Sequence, residues 1–308
     1  MNILVLCDRY PYPLAHGLTL RVYNVLCRLA KRHTLDLLCY GEGPPPGALT
    51  GLFRRIETFT KPQTSSKHAA PWVRLRQAFS LDHLHAVQPA MAHRIHELVE
   101  SEDYALVLAY PNVLHYFASG LNIPLVVDLI DDHLLMYWRH LRVVHSPFEG
   151  LRLCKRWLMM YRFERRLAKV AKAIVVVSEA DRDFMARFCQ GAPLHVIPNG
   201  VNGDYYRPLG LEEEPYTLVF EGKMDFAPNV DGVRFFCQTV LPLVHRQLPQ
   251  ARLWVVGKDP TPEVLALAGE RVTVTGFVDD VRPYLDRASL FVCPLRMGGG
   301  IKNKILQA

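Results

Sequence analysis

Short apolar runs alternate along the chain with segments whose apolar residues recur at helical spacing. In the first two thirds of the chain, the apolar runs that predict strands are residues 2–7, 34–39, 104–109, 125–128, 173–178 and 195–197. Between them, helical spacing predicts helices over residues 18–31, 91–100 and 151–172. Because strands that alternate with helices are typical of parallel βαβ units, this part of the chain predicts one doubly wound α/β domain.

A second series of the same kind begins at Tyr216. It predicts strands over 217–220, 251–256, 272–275 and 290–293, and helices over 229–244 and 281–287. A polar, turn-rich segment at 198–208 and an acidic segment at 212–215 separate the two series. The sequence therefore predicts a first domain over 1–198 and a second over 199–308, with the carboxyl ends of both sheets bordering one cleft.

Composition narrows the class of protein. Half of the 308 residues are apolar, which suffices for two cores. No apolar run approaches the roughly 18 residues of a membrane span, and Asp8 comes too early for a signal peptide, so a cytoplasmic protein is expected. The seven cysteines are scattered without C-x-x-C pairs, and none of the 13 histidines has zincin spacing, so neither disulfides nor a metal is expected. A net charge of +6 fits an anionic partner such as a nucleotide or a lipid phosphate.

The end of the chain holds a glycine-rich turn between a predicted strand and a predicted helix. Three glycines, Gly298, Gly299 and Gly300, precede a helix start that carries Lys302 and Lys304. Backbone N–H groups, the helix dipole and close backbone approach at glycine all favour an anion there, and phosphate is the first ligand to expect. The predicted helix ends after about two turns, so we expect the chain to be a fragment cut within an element.

Several motifs, in this order along the chain, resemble the donor half of the GT-B glycosyltransferases. They are PNGV at 198–201, FEGKM at 220–224, PN at 228–229, VVG at 255–257, TGFVDDV at 275–281, PLR at 294–296 and GIKNK at 300–304. The YPYP motif at 10–13, followed by Gly17 and Arg21, resembles the first loop of that fold. The resemblance is strongest to family 4, the retaining hexosyltransferases that use nucleotide sugars, and within it to the sugar transferases of bacterial exopolysaccharide and exosortase systems. It implies two Rossmann-like domains, an acceptor-side one first and a donor-binding one second and incomplete.

The resemblance implies several donor-binding residues. Gly17 would let the first loop approach the donor diphosphate and Arg21 would supply charge, although a helix entry with a solvated arginine fits the same residues. Gly222 and Lys223 stand where the family commonly has Gly-Arg, and the lysine is expected to stabilise the leaving nucleotide without a metal. Asn229 stands where many members have a second cation, and it would also suit the N-cap of a helix.

The other donor-binding residues that the resemblance implies are Gly257, Gly298, Gly299, Gly300, Ile301, Lys302, Asn303, Lys304 and Gln307. Family members usually have a Glu–x7–Glu pair here, which addresses the donor sugar and the ribose. Gly299 and Gln307 take those two positions, so only a weaker amide hydrogen bond to the ribose is expected. Lys302 and Lys304 are two residues apart and cannot share a helix face, so one is expected to be solvated. The expected donor substrate is a UDP- or GDP-linked sugar, with no bound cofactor.

In the first domain, acids and a histidine follow a predicted strand at 125–128. Asp132 and His133 are the candidates for catalytic residues, whereas Asp128 is expected to be structural at the strand end. Retaining enzymes of this fold can use the leaving phosphate as the base, so the base stays open. Ser178 is expected to cap the following helix.

The segment 151–172 combines many basic residues with apolar and aromatic ones. It predicts either a basic amphipathic helix on an anionic membrane surface or a long helix packed on its own sheet. The segment 71–79 offers a second membrane contact or an acceptor-binding loop.

The leading hypothesis is a glycosyltransferase that moves a hexose from a nucleotide sugar to a polysaccharide or lipid-linked acceptor in exopolysaccharide biosynthesis. One alternative is a defective remnant of the fold, which Gly299 and Gln307 favour. Another is an epimerase or phosphorylase with the same fold. Nucleic-acid binding is poorly supported, because the basic residues form no recognisable module.

Overall fold

The structure is a computed structural model that describes residues 1–14, 17–61, 89–110, 120–130, 132–144, 146–297 and 301–308. The chain divides into two compact units. The first comprises Met1–Trp138, His145–Asn199 and Gly299–Ile301, and the second comprises Arg139–Val144, Gly200–Gly298 and Lys302–Ala308. Each unit is built on one parallel sheet, which confirms the predicted α/β class with two sheets.

The sheet of the first unit has seven strands in the order β3-β2-β1-β4-β5-β6-β7. The strands are β1 Asn2–Cys7, β2 Thr34–Tyr40, β3 Arg55–Phe59, β4 Tyr104–Ala109, β5 Leu125–Asp128, β6 Ala173–Val176 and β7 Leu194–Val196. The order reverses between β1 and β4, and in open α/β sheets the carboxyl ends of strands at such a point are the usual place for a ligand.

Helices and one 3₁₀ turn connect these strands. The helices are α1 Gly17–Leu29, α2 Pro89–Ser101, α3 His133–Leu141, α4 Pro147–Val170 and α5 Glu179–Ala186, and the 3₁₀ turn is Gly47–Leu49. None of the helices in the described part of the chain is both long and apolar enough to cross a membrane.

The first unit has a core on each face of its sheet. Along β1, Leu4 and Leu6 belong to one apolar cluster, whereas Ile3, Val5 and Cys7 belong to the other. Because successive side chains of a strand point to opposite faces, a strand that is buried on both faces reads as a continuous apolar run. This is why the apolar runs predicted the central strands well.

The sheet of the second unit has four strands in the order β10-β9-β8-β11. They are β8 Glu214–Glu221, β9 Arg252–Val256, β10 Val272–Gly276 and β11 Ala288–Phe291. The helices of this unit are α6 Ala227–Phe235, α7 Leu241–His245, α8 Pro262–Leu265, α9 Arg282–Arg287 and α10 Asn303–Gln307.

Some predicted elements differ from the observed ones. The single helix predicted over 229–244 is two helices joined by a π-helical turn, Phe236–Val240. Pro242 lies in the first turn after it and has no N–H to donate, which accounts for the change of helix type there. Strand β3 was not predicted, because its apolar residues alternate with charged ones at the edge of the sheet.

Candidate functional site

Two glycines bring the turns after β8 and β9 into close contact. A Cβ added to Gly257, whose φ is +147°, would lie 1.8 Å from the carbonyl oxygen of Gly222. Gly222 has a φ of +154°, and its N–H donates to the Val256 carbonyl at 3.0 Å. Both conformations are ones that only glycine adopts readily. The carboxyl ends of the two strands can therefore approach this closely only with glycine at both positions.

Two side chains, those of Lys304 and Asn229, lie next to Gly222 on its other side. A Cβ on Gly222 would lie 2.6 Å from Lys304 Nζ and 2.7 Å from Asn229 Nδ2. Lys304 Nζ donates to the Glu221 carbonyl at 2.5 Å and to Asn229 Oδ1 at 3.0 Å, while Asn229 Nδ2 donates to the Lys223 carbonyl at 2.8 Å. We call this segment, residues 221–223, the glycine turn. Asn229 and Lys304 fix its backbone on both sides of the glycine.

Two lysines lie at the glycine turn, Lys223 within it and Lys304 from α10, and their environments differ. Lys304 is partly buried beside the Phe220 ring, 4.3 Å from its centroid, and burial lowers the pKa of Lys304 although Glu221 opposes the shift. The Lys223 side chain is 37% exposed and forms ion pairs with Asp225 at 2.7 Å and Asp259 at 3.5 Å. The hydrogen bond to Asp225 raises the pKa of Lys223. The turn thus has one internal ammonium group and one that faces solvent.

The structure resolves one alternative for Asn229. The N-cap of α6 is Phe226, and Asn229 lies inside the first turn of that helix with 5% exposure. The N-cap interpretation of Asn229 is therefore wrong, because the amide is used to hold the glycine turn.

The other predicted donor residues lie in or next to α10. Lys302 is the residue before the helix, Asn303 begins it and Gln307 ends it. The Asn303 Oδ1 atom is buried and has no hydrogen-bond partner within the described residues. Lys304 donates to two protein oxygens, the Glu221 carbonyl and Asn229 Oδ1. The predicted residues Gly298, Gly299 and Gly300, like the segment 71–79, lie outside the described residues.

In the first unit, Gly17 begins α1 and is exposed, whereas Arg21, one turn later, is buried. The Arg21 guanidinium pairs with Asp128 through Nε, at 3.2 and 3.0 Å to the two carboxylate oxygens, and Nη1 donates to Asn199 Oδ1 at 2.9 Å. Burial raises the pKa of Asp128, and Arg21 opposes this shift. The alternative of a solvated arginine is therefore wrong, and the predicted role of Arg21 at a diphosphate stays a prediction.

Asp132 and His133 lie at the start of α3. Asp132 is 1% exposed, and its Oδ1 accepts the N–H groups of Leu134 at 2.7 Å and Leu135 at 3.2 Å, so it caps the helix. His133 is partly exposed and its ring stacks on Tyr137, 6.5 Å between centroids. A catalytic role for either residue stays a prediction, and of the two only His133 presents surface to solvent.

A buried carboxyl group was not found from the sequence. Glu164 of α4 is fully buried, and neither carboxyl oxygen has a hydrogen-bond partner within the described residues. Burial, together with the charges of Asp132 and Asp181, raises its pKa well above the usual range, so the carboxyl group is held in its neutral form. The sequence did contain a signal for its burial, because Glu164 is next to Phe163 and three residues before Leu167, both of which are on the buried face of α4.

Ser178 caps α5 as predicted, with Oγ accepting the Asp181 N–H at 3.1 Å. Among the described residues, no group of three or more His, Cys, Asp or Glu side chains is arranged to hold a metal ion.

Comparison with known families agrees with this architecture. The family model described as Glycosyltransferase Family 4 matches residues 15–205, and the model described as Glycosyl transferases group 1 matches residues 215–308. Among curated protein sequences, none matches the chain significantly.

Many solved structures share the fold. A sucrose-phosphate synthase from Thermosynechococcus elongatus has a TM-score of 0.65 and 17% identity, over 100% of this chain and 79% of that one. HepE from Anabaena in complex with UDP and glucose has a TM-score of 0.56 and 16% identity, over 100% of this chain and 78% of the HepE chain. WaaG, a glycosyltransferase involved in lipopolysaccharide biosynthesis, has a TM-score of 0.56 and 18% identity, over 95% of this chain and 75% of the WaaG chain.

At these identities the solved structures establish the fold alone, and they confirm the GT-B class expected from the sequence motifs. The family 4 model, by contrast, is matched by more than half of the 308 residues. The protein therefore belongs to glycosyltransferase family 4 and is a glycosyltransferase.

Proposed function

We propose that the protein transfers a hexose, with retention, from a UDP- or GDP-linked sugar to a saccharide or lipid-linked acceptor in exopolysaccharide biosynthesis. The observation that supports a nucleotide-sugar donor is the glycine turn. There the ammonium groups of Lys223 and Lys304 lie near Gly222, which has no side chain. A diphosphate is the anion that suits two cations and close backbone approach. The HepE structure, which contains UDP and glucose, supports a nucleotide in this fold.

In this proposal the second unit binds the donor. Lys223 reaches the diphosphate from solvent and stabilises the negative charge that builds on the leaving nucleotide. Gly222 and Gly257 keep the two turns free of side chains, and Gln307 donates to or accepts from a ribose hydroxyl. The remaining donor contacts predicted for 298–303 belong to the same proposal.

The first unit has the acceptor side in this proposal. Gly17 and Arg21 contribute to the diphosphate end of the donor, and His133 is the better placed of the two catalytic candidates because part of its ring is exposed. Asp132, as the cap of α3, fixes the position of His133 at the first turn of that helix.

The acceptor and its location rest on the resemblance of the motifs and on one surface. At the start of α4, Phe148 is 85% exposed and Leu151 is 72% exposed, with Arg152 and Arg156 nearby in sequence. Exposed apolar side chains among basic ones suit an anionic membrane surface, where a lipid-linked acceptor would be found.

Calorimetric titration with UDP and with GDP, both in EDTA, tests the donor class. We expect one nucleotide to bind in EDTA, and we expect Lys223→Ala to weaken that binding about tenfold or more, because a charge-assisted contact is worth about 1.5–3 kcal/mol. The matched control is Lys169→Ala, which removes an exposed lysine from α4 in the first unit. Binding of neither nucleotide would contradict the proposal and would favour a defective member of the family, the alternative that Gln307 supports.

A further inference from the structure

Glu164 of α4 is an acid placed in an apolar core. It is fully buried, and both of its carboxyl oxygens lack a hydrogen-bond partner within the described residues. Its neighbours Phe163 and Leu167 on the same helix belong to the apolar cluster on that face of the sheet. A buried polar group without a partner is costly, and a leucine would fill similar space without that cost. Packing alone therefore does not account for an acid at this position.

Titratable side chains of neighbouring elements face Glu164 in this core. Asp132 lies at the start of α3, Asp181 lies in α5 and Cys189 follows α5. Their exposures are 1%, 0% and 5%, so they are as buried as Glu164. Arg165, the next residue of α4, is a cation whose charge acts on Cys189. Because a further negative charge among these buried acids is unfavourable, Glu164 keeps its proton and has an O–H to donate.

Of the two acids, Asp132 is the better acceptor for this O–H. The charge of Asp132 acts on Glu164 more strongly than that of Asp181. The Leu134 N–H, which Asp132 Oδ1 accepts at 2.7 Å, also favours the ionised form of Glu164, so both carboxyl groups lie near one amide. Asp181 already accepts the Ser178 O–H at 2.6 Å. Two carboxylates are acceptors only, so a hydrogen bond between them requires a proton on one of the two.

The residues that lead from β5 to α3 are held at both ends. Ile130 is a buried β-branched residue with a φ of +63°, a conformation that persists only where the surroundings enforce it. Its N–H donates to Asp128 Oδ1 at 3.1 Å, at the end of the strand. At the start of the helix, Asp132 accepts the first N–H groups of α3. His133 is the next residue, so its position depends on what holds Asp132.

We propose that Glu164 donates its carboxyl O–H to the Asp132 carboxylate and is thereby a positioning residue for His133. This inference rests on the proposed function, because it takes His133 to act on the substrate. Glu164 is 0% exposed, so it acts through Asp132 and does not touch the substrate. The shared proton makes the contact of the two acids attractive, and it fixes the carboxylate that caps α3.

The first test needs no substrate. Infrared difference spectra between the wild type and Glu164→Gln at pH 7 should contain the C=O band of a protonated carboxylic acid. Asp132→Asn, which keeps a capping oxygen, should shift that band because the acceptor of the O–H changes. Asp181→Asn should leave the band in place. Absence of the band, or a shift in Asp181→Asn and none in Asp132→Asn, would overturn the proposal.

The second test compares a variant that keeps a donor with one that does not. Glu164→Gln keeps an N–H donor toward Asp132, whereas Glu164→Leu has none. The rate of sugar release from UDP-glucose or GDP-mannose without an acceptor is measured. We expect Glu164→Leu to lower kcat about 10- to 100-fold at unchanged KM, and Glu164→Gln to stay within about threefold of the wild type, because a small displacement of a reacting group costs up to about 100-fold. The matched control is Met160→Leu, a volume-conserving change at another buried residue of α4, which should alter neither constant.

Wild-type kcat in Glu164→Leu, or equal losses in Glu164→Leu and Glu164→Gln, would refute the positioning role. An equal loss in Met160→Leu would refute it as well, since any disturbance of this core would then suffice. If thermal unfolding shows that Glu164→Leu is not folded, Glu164→Met takes its place with the same expected losses.

The two tests separate this inference from the proposed function. A wild type that releases no sugar from either donor would contradict the proposed function, and the infrared spectra would still decide the contact of Glu164 with Asp132. The position of His133 is then measured by NMR of ¹³C-labelled histidine, with the His133 signal assigned by its loss in His133→Gln. The signal should shift in Glu164→Leu and not in Glu164→Gln, and an unchanged signal in both variants would refute the positioning role.

Discussion

Replacing Gly257 by alanine should destabilise the second unit strongly. The backbone at this position has φ +147°, and an added Cβ would lie 1.8 Å from the Gly222 carbonyl oxygen and 2.8 Å from its carbonyl carbon. A non-glycine residue held in such a conformation costs about 1–3 kcal/mol, and forcing packed atoms apart costs about 1–3 kcal/mol more. Because the obstacle is backbone and not a flexible side chain, the overlap cannot be relieved by a rotamer change.

We therefore expect Gly257→Ala to lower the free energy of unfolding of the second unit by about 2–6 kcal/mol, which corresponds to a fall of about 10 °C or more in its Tm. Thermal unfolding followed by circular dichroism measures the fall, and hydrogen exchange of peptides from 214–256 assigns it to this unit. The control is Gly269→Ala, where an added Cβ meets no heavy atom of the described chain within 4 Å and the expected change is below about 1 kcal/mol. A Gly257→Ala protein within about 1 kcal/mol of the wild type would refute the reasoning.

Two further predictions concern the first unit. The raised pKa of Glu164 means that the folded state keeps a proton that the unfolded state releases above about pH 4.5, so wild-type stability should fall as pH rises beyond that value. Glu164→Gln should raise the Tm at pH 8 but not at pH 4, as measured by thermal unfolding at both pH values; parallel pH profiles of the two proteins would contradict this. For the membrane surface, the double variant Phe148→Ser, Leu151→Ser should co-sediment with vesicles of anionic lipid at least about a hundredfold more weakly than the wild type, because burying each side chain is worth about 1.5–3 kcal/mol and each 1.4 kcal/mol is about a tenfold change in affinity. Equal binding by the double variant, or an equal loss in the control Leu243→Ser at another exposed leucine, would contradict a contact at α4.

The strands were predictable because of how they are buried. Central parallel strands such as β1 and β4 are covered on both faces, so their sequences are continuous apolar runs. The edge strand β3 is only half-buried, and its apolar residues alternate with charged ones. It therefore has no continuous apolar run, and the sequence pattern did not predict it. Helix α3 was also hidden, because Asp132 reads in sequence as one of several acids after a strand, and its role as a cap depends on the chain turning there.

The candidate site was predictable only where its residues are adjacent in sequence. Gly222 and Lys223 follow a strand directly, and their likeness to the Gly-Arg pair of the family is what predicted a phosphate ligand there. The pairing of Arg21 with Asp128 spans 107 residues, and no spacing rule indicates it. For Lys304, helical spacing indicated only that it does not share a face with Lys302. The fold decides that Lys304 reaches the turn after β8.

The contacts of Lys304 also tie the ordering of α10 to that of the glycine turn. Helix α10 has five residues, which is too short to be stable by itself in water. The Lys304 ammonium group of this helix donates hydrogen bonds to the Glu221 carbonyl and to Asn229 Oδ1, so α10 and the glycine turn stabilise each other. A ligand that binds only the ordered arrangement stabilises it in proportion to its saturation of the site. Under the proposed function, nucleotide affinity and the ordering of α10 are two measures of one equilibrium, so a substitution that loosens α10 should reduce nucleotide affinity without touching the ligand.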